Sequence, residues 1–439
     1  MAGRIQLEAS GLQDRFFTED PDYTHFLESF KKHSNFSRQY VDIDPENAVN
    51  FGGKVRFKVA QNTGDLLSGV SLKIKLPKLV TNSWRYIDSV GHALFEYIDL
   101  IIGGKVIQRL TSDYLQIYSE HFVTQTKQYS LEQLIGKFPE RVISRRVSDR
   151  EILAHLTEDA ANDIDFFASL PFYFHNNPEL AIPLCAIKKQ EVEVEVKLRN
   201  YQDLIVKIDG SRDLSDWAST RSILGYSEEL ILSELQLCSE VIFLDPCERI
   251  KIENETRDYI ITQIQQNVFD VGQGEQNAKI KMDFYNPVKE LYFVIQRQGD
   301  TGTSEGEFIT PFDYDNTLAD TGGKYILYEN LDYLTLDLDG EPIITQETGN
   351  VIFLKAVQAA IHHSKTQLLR RFYSYSFALE PEKWYPTGQV NFSLIKDQIV
   401  NLSLTPCTDY ARQIRVYAVS HNILRVSEGT ARTLFDLKY

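Results

Sequence analysis

Methionine and tryptophan are scarce in this 439-residue chain, with 2 and 3 copies. The four cysteines, Cys185, Cys238, Cys247 and Cys407, include no C-x-x-C spacing. That excludes a disulfide scaffold and a zinc site, and makes reduced thiols of an intracellular protein the expectation. No apolar run approaches a membrane span, and the first residues lack a signal-peptide core, so a soluble protein made in the cytosol is expected. Positive charge is also short. The formal net charge is −16 with no basic arm, a poor match to nucleic-acid coating, which needs a lysine and arginine footprint. Catalytic signatures are missing as well. The nine histidines form no H-x-H or H-E-x-x-H, Gly272-Gln-Gly274 lacks a third glycine, and there is no P-loop or G-x-S-x-G. No metal, cofactor or catalytic residue is expected, and the chain reads as a binding or building protein.

Aromatic residues are plentiful, with 25 Phe and 23 Tyr, which suits strands. The organising stretch is Phe95 to Phe122. Alternation over Tyr97–Ile102 predicts a strand, Gly103-Gly104 a tight turn, Lys105–Leu110 a second strand, and Thr111 or Ser112 the cap of a short helix. The same unit returns at Tyr333 to His363, with Asn350 as the cap of a helix over Val351–Ile361. Tyr97 and Tyr333, like the turn glycines Gly104 and Gly340, stand 236 residues apart. A repeat at that distance is a duplicated domain, since solenoid periods are far shorter.

Other landmarks keep the same order. Lys54–Val59 is echoed by Lys279–Phe284, Pro171–Phe174 by Tyr373–Phe377, Ala186–Leu198 by Ser393–Leu404, and Leu235–Asp245 by Ile414–Leu424. In Glu191–Leu198 the residues Val192, Val194, Val196 and Leu198 are expected inside, with Glu191, Glu193, Glu195 and Lys197 in solvent. Short alternating strands between Gly, Pro, Asn and Asp turns predict an all-β, antiparallel architecture. Three insertions, 123–165, 200–232 and 296–323, are expected at loop ends. The first carries capping signals at Ser130-x-x-Gln133 and Ser148-x-x-Glu151. Residues 1–36 form an aromatic arm, with helical turns expected around Asp22–Lys32. The second and third divisions are residues 37–252 and 253–439.

One string invites an enzyme reading. Asp313-Tyr-Asp315-Asn-Thr317 fits the D-x-D-x-T of haloacid-dehalogenase-like phosphatases, with Asp313 as nucleophile and Asp315 as general acid. That chemistry needs a central parallel strand in a doubly wound sheet. Pro311 before it, glycine-rich flanks and no βαβ pattern make an acidic surface loop the preferred reading.

The arm carries Gln13-Asp14, Thr18, Pro21, Thr24 and Phe26, then Phe30-Lys31-Lys32-His33-Ser34-Asn35-Phe36. This order resembles the opening signature of the double jelly-roll major capsid proteins of large eukaryotic DNA viruses, with Ser34 in place of a threonine. It is most similar to algal-virus and giant-virus members. Asn286–Leu291 resembles the start of that family's second domain, and Arg415–Arg425 with Gly429 and Phe435 its closing strand. The resemblance implies two tandem eight-stranded antiparallel jelly rolls with short helices in the loops. It implies a homotrimer, in which wedges with flat apolar flanks make a pseudo-hexagonal capsomer that meets neighbouring capsomers in an icosahedral virion shell. Assembly in the host cytoplasm, without direct nucleic-acid contact or enzyme activity, follows. The arm residues Phe26, Phe30, Lys31, Lys32, His33 and Phe36 are expected to reach minor capsid proteins or an inner membrane. The alternative is a carbohydrate-binding β-sandwich adhesin or minor capsid protein, which would expose an aromatic sugar platform on its loops; the tryptophans Trp84, Trp217 and Trp384 are not clustered in sequence, and Trp217, in the 200–232 insertion, is the candidate.

Overall fold

A computed structural model describes residues 2–27, 32–79, 84–137, 164–207, 230–298, 312, 314, 316–319, 325–363, 371–406 and 411–435. The chain divides into two compact units, Met1–Phe36 and Ser37–Tyr439. The first contains the short helices Ala2–Glu8 and Leu12–Thr18. These lie upstream of the expected helical turns at Asp22–Lys32. Asp14 accepts from the Gly11 N–H at 2.8 Å and closes the start of the second helix. Glu19 is already extended and Pro21 follows, a sequence that cannot carry the helix on.

The first half contributes β1 (Phe36–Ile43), β2 (Lys54–Val59), β3 (Leu66–Leu76), β4 (Trp84–Tyr86), β5 (Phe95–Ile102), β6 (Lys105–Thr111), β7 (Ile164–Ser169), β8 (Ile182–Pro183), β9 (Val192–Leu198), β10 (Ile205–Lys207) and β11 (Glu234–Leu244). A helix, Pro246–Asn254, leads into the second half. There follow β12 (Arg257–Val271), β13 (Asn277–Lys281), β14 (Pro287–Gln298), β15 (Asn316–Ala319), β16 (Tyr325–Tyr328), β17 (Leu331–Leu338), β18 (Glu341–Ile344), β19 (Phe372–Ser376), β20 (Val390–Asn391), β21 (Gln398–Leu404), β22 (Ala411–Ser427) and β23 (Thr430–Thr433).

In the first half, sheet β1-β11-β3-β7 faces sheet β2-β9-β5-β6; in the second, β12-β22-β14-β19 faces β13-β21-β17-β18. All these pairings are antiparallel where register is defined, and the two orders are the same. Each half is an eight-stranded jelly roll. Irregularities repeat too. The register shifts between Phe95 and Tyr97 and again between Leu331 and Tyr333. It shifts between Leu100 and Ile101 and between Leu336 and Asp337. Bulges placed alike in both halves mark two copies of one fold, because a bulge is a local insertion that pattern alone does not require.

The structure corrects three readings. Counting from the shared bulge, Arg56 matches Lys279, so the Lys54–Lys279 alignment slips by two residues. A two-residue slip keeps every side chain on its face, which is why alternation could not detect it. The strand next to Pro171–Phe174 is Ile164–Ser169, upstream of that run. Ser130 lies inside the helix Gln125–Ile135, whose N-cap is Thr124, so it does not cap; Ser148 and Glu151 lie outside the described residues.

Glu195 is a fourth correction. It is 5% exposed rather than in solvent. Its carboxylate accepts from Lys54 Nζ at 3.0 Å and Arg56 Nε at 2.9 Å. Across the same sheet Asp99 accepts from Arg109 Nε and a second guanidinium nitrogen, both at 2.7 Å. Arg109 also lies 4.3 Å from the centre of the Tyr97 ring. Long cationic side chains from the flanking strands thus roof the two central carboxylates.

The second jelly roll has its own core, including Phe284, Leu291, Phe293, Leu336, Val400 and Val416. Tyr292, Val294, Tyr417, Val419 and Leu424 point away from it and join the core of the first jelly roll. The sheet β12-β22-β14-β19 is therefore buried on both faces.

Candidate functional site

The helix Ser112–His121 is the piece of the first jelly roll that lies on that outer face. Thr111 caps it, its hydroxyl accepting from the Tyr114 N–H at 3.3 Å. Of its residues only Tyr118 is not buried. At the N-terminal end, Asp113 is 2% exposed and reaches the second jelly roll. It accepts from Tyr314 Oη at 2.6 Å, Tyr417 Oη at 2.7 Å and the Arg415 guanidinium at 2.5 Å. Burial alone would raise its pKa, but Arg415 and the two hydroxyls outweigh burial and hold it below the ordinary aspartate value.

At the C-terminal end, the His121 ring packs edge-on against Tyr292 at 5.2 Å and His363 at 5.1 Å. Burial, followed by His363, pushes the pKa of His121 down to about 4. Burial would lower His363 as well, yet Glu290, 2.6 Å from its Nε2, lifts the pKa to about 9. Further contacts cross the boundary. Gln263 donates to the Ile107 carbonyl at 2.6 Å, and Lys189 N–H donates to the Gly429 carbonyl at 2.9 Å.

Acid weakens this arrangement. Burial pushes His121, His175 and His421 each down to about 4, whereas an unfolded histidine titrates near about 6.5. Between these values the unfolded chain binds more protons, so stability falls as pH falls from about 6.5 towards 4. His363 acts oppositely, its contribution full below about 6.5 and lost as pH rises through about 9. The expected outcome is a lower melting temperature at about pH 5 than at pH 7, with His121→Phe narrowing the gap. Equal melting temperatures at both would contradict the neutrality of these rings.

The second copy of the helix is not covered. Asn350 caps it, accepting from the Phe353 N–H at 2.8 Å, and it runs through a π-helical turn, Phe353–Val357, into Gln358–His362. Ile352, two residues past its cap as Asp113 is past Thr111, is 73% exposed, and Ile361 near its end is 67% exposed. Beside the end of the helix Leu379 is 78% exposed, its carbonyl 3.1 Å from His362 Nδ1. The face β1-β11-β3-β7 of the first jelly roll is open likewise. It holds a hollow of about 420 Å³ lined by Arg38, Tyr40, Ser71, Phe167, Cys238 and Glu240, among others. The expected flat apolar flank is instead hollowed and partly polar, because small side chains stand where the second copy has tyrosines.

A family model for the major capsid protein N-terminus matches residues 24–245, and one for the large eukaryotic DNA virus major capsid protein matches residues 248–432. This chain belongs to that family. Among its relatives, the major capsid protein of Pyramimonas orientalis virus is 26% identical, with 97% of each chain covered. The major capsid protein of Phaeocystis pouchetii virus is 24% identical over 97% of this chain and 98% of its own. The solved structure of PBCV-1 VP54 overlays with a TM-score of 0.72 at 19% identity, covering 94% of this chain and 100% of that one. The capsid protein is thus a structural building block of a virus shell, and its fold is the double jelly roll.

The residues singled out in the sequence fall as follows. Gly104 and Gly340 sit in the β5–β6 and β17–β18 turns at φ +79° and +88°. In the arm Phe26 is 93% exposed, Lys32 is exposed, and the His33 ring lies edge-on to half-exposed Phe36 at 5.9 Å. Phe30 and Lys31 lie outside the described residues, as do Asp313, Asp315, Trp217 and Cys407. Tyr314, between the two aspartates, is buried against Asp113. Trp84 belongs to the short strand β4, and Trp384 is half-buried against the main core. The comparisons give the sugar-binding and phosphatase readings no support. Among the described residues no cluster could hold a metal ion, and no helix is long and apolar enough to cross a membrane.

Proposed function

We propose that three copies of this capsid protein associate into a pseudo-hexagonal capsomer that tiles the facets of an icosahedral shell. In this reading residues 1–36 are an assembly arm, 37–252 the first jelly roll and 253–439 the second, with the division falling in the helix Pro246–Asn254. The observation that carries it is the buried boundary between the jelly rolls. One copy of the fold already lies against the next within a chain, and repeating that step around a threefold axis gives six-part symmetry from three chains. The protein acts by binding and not by catalysis. Its net charge of −16 suits a shell that does not touch the genome. Its site is the virion capsid, with assembly in the host cytoplasm.

The arm is the part that reaches other components. Phe16, Phe17 and Phe26 are 92%, 89% and 93% exposed, and each gains about 1.5–3 kcal/mol when fully buried. With Phe30, Lys31, Lys32, His33 and Phe36 they form an aromatic and basic segment on an acidic protein. Its partners are minor capsid proteins or the lipid phosphates of an inner membrane. Phe26→Ala with Phe30→Ala is expected to purify as a folded trimer and to give no particles on co-expression with those partners. Normal particle yield from the double variant would remove the arm from assembly.

A further inference from the structure

The two jelly rolls share their strand order and the positions of their bulges, so a contact made by one can be transferred to the other. In the second copy the paired residues Tyr292 and Tyr417 receive the helix Ser112–His121, Tyr417 at Asp113 near its start and Tyr292 at His121 at its end. Counting from the bulges of β3–β11 and β14–β22, the matching pair in the first copy is Ser71 and Cys238. Phe372 and its partner Val294 match Phe167 and Lys73 in the same way. Where two buried tyrosines fill the second face, a hydroxymethyl and a thiol leave the 420 Å³ hollow on the first. The helix that would fill it is the second copy, which carries Ile352, Ile361 and neighbouring Leu379 outward. Within one chain that helix sits on the same jelly roll as the covered face, so it is free to meet another molecule.

We propose that Ile352, Ile361 and Leu379 of one copy seat against the hollowed face Arg38–Ser71–Cys238 of the next, head to tail, so that three such contacts close the ring. This assignment rests on the trimeric reading above and adds which surfaces meet. The chemistry fits a second copy of this chain. The knobs are branched aliphatic side chains; the hollow offers small residues, the rings of Tyr40 and Phe167 and the side chains of Val70 and Ile242, beside the polar His175, Asn176 and Asn177. Its rim carries charges that are already paired, Arg38 with Glu240 at 3.0 Å and Lys73 with Asp42. An aliphatic knob therefore enters without stranding an ion. Because knob and hollow are different surfaces, the contact is heterologous, and closure sets the number of copies.

The test compares wild type with Ile352→Asp/Ile361→Asp and with Ser71→Trp by mass at micromolar concentration. Each variant changes a solvent-facing position of the lone chain, so melting of the monomer is expected to stay near wild type. Trimer association is expected to weaken by roughly thirtyfold or more in each. A second measurement places cysteines by Ser71→Cys and Ile361→Cys in a background with Cys238→Ser, Cys247→Ser and Cys407→Ser, which removes the native thiol that lines the hollow, and joins them with a short bismaleimide. Head-to-tail contact gives linked dimers and trimers; either single cysteine variant gives monomers. Wild type that is itself monomeric would overturn the trimeric reading. A wild-type trimer whose variants remain trimeric, with no linked species, would overturn this assignment alone.

Discussion

Asp113→Ala is expected to lower the stability of the protein by about 3–5 kcal/mol, the cost of breaking a buried ion pair from one side. Arg415 and the hydroxyls of Tyr314 and Tyr417 all converge on this carboxylate. Removing it leaves a guanidinium whose side chain is 20% exposed without its counter-charge, and two buried hydroxyls without their acceptor. The partners come from different jelly rolls, so the loss is concentrated at their boundary. Urea unfolding followed by far-ultraviolet circular dichroism is expected to split into two transitions in the variant. Asp113→Asn keeps the shape and loses the charge, and should fall between the two. A single transition at the wild-type midpoint for Asp113→Ala would mean that the jelly rolls are held together elsewhere.

Gly349→Ala is expected to be comparably damaging, at about 3 kcal/mol or more. A methyl at this position would stand 1.7 Å from the Leu334 carbonyl oxygen and 2.9 Å from that of Thr345. Neither is a side chain that can swing away. The backbone of Gly349 also donates to the Thr345 carbonyl at 2.8 Å and accepts from the Leu334 N–H at 2.9 Å. Relief of the clash would therefore pull β17 out of its pairing with β21. Gly104→Ala provides the contrast. Nothing lies within 4 Å of a methyl there, so only the left-handed backbone at φ +79° resists, worth about 1 kcal/mol. Thermal melting of the two variants side by side checks the ranking, and an equal drop would contradict the close approach at Gly349.

Much of this fold was legible because its repeat is punctuated. Tyr97 and Gly104, with Tyr333 and Gly340, fixed the duplicated strand–turn–strand unit, and the caps at Thr111 and Asn350 fixed the helix after each. Gly349 was hidden in the same stretch, since a glycine needed for close approach looks no different in sequence from one in a loop. Glu195 was misplaced because its cations, Lys54 and Arg56, are far away in the chain. The boundary between the jelly rolls had a visible signal that alternation obscured. Leu291–Ile295 is an unbroken run of apolar and aromatic residues, the pattern of a strand buried on both faces. Asp113 and Arg415 carry no such mark, because a charged residue on a short helix or along a strand reads as solvated until the facing surface is known, whereas His121 shares the helical spacing of Tyr114, Ile117 and Tyr118.

Electron microscopy of the purified full-length protein, with its mass read in the same buffer, tests the central claim most directly. The account predicts particles of three chains with a hexagonal outline and six lobes, one for each jelly roll. Isolated monomers at micromolar concentration, or dimers with twofold outline, would contradict it.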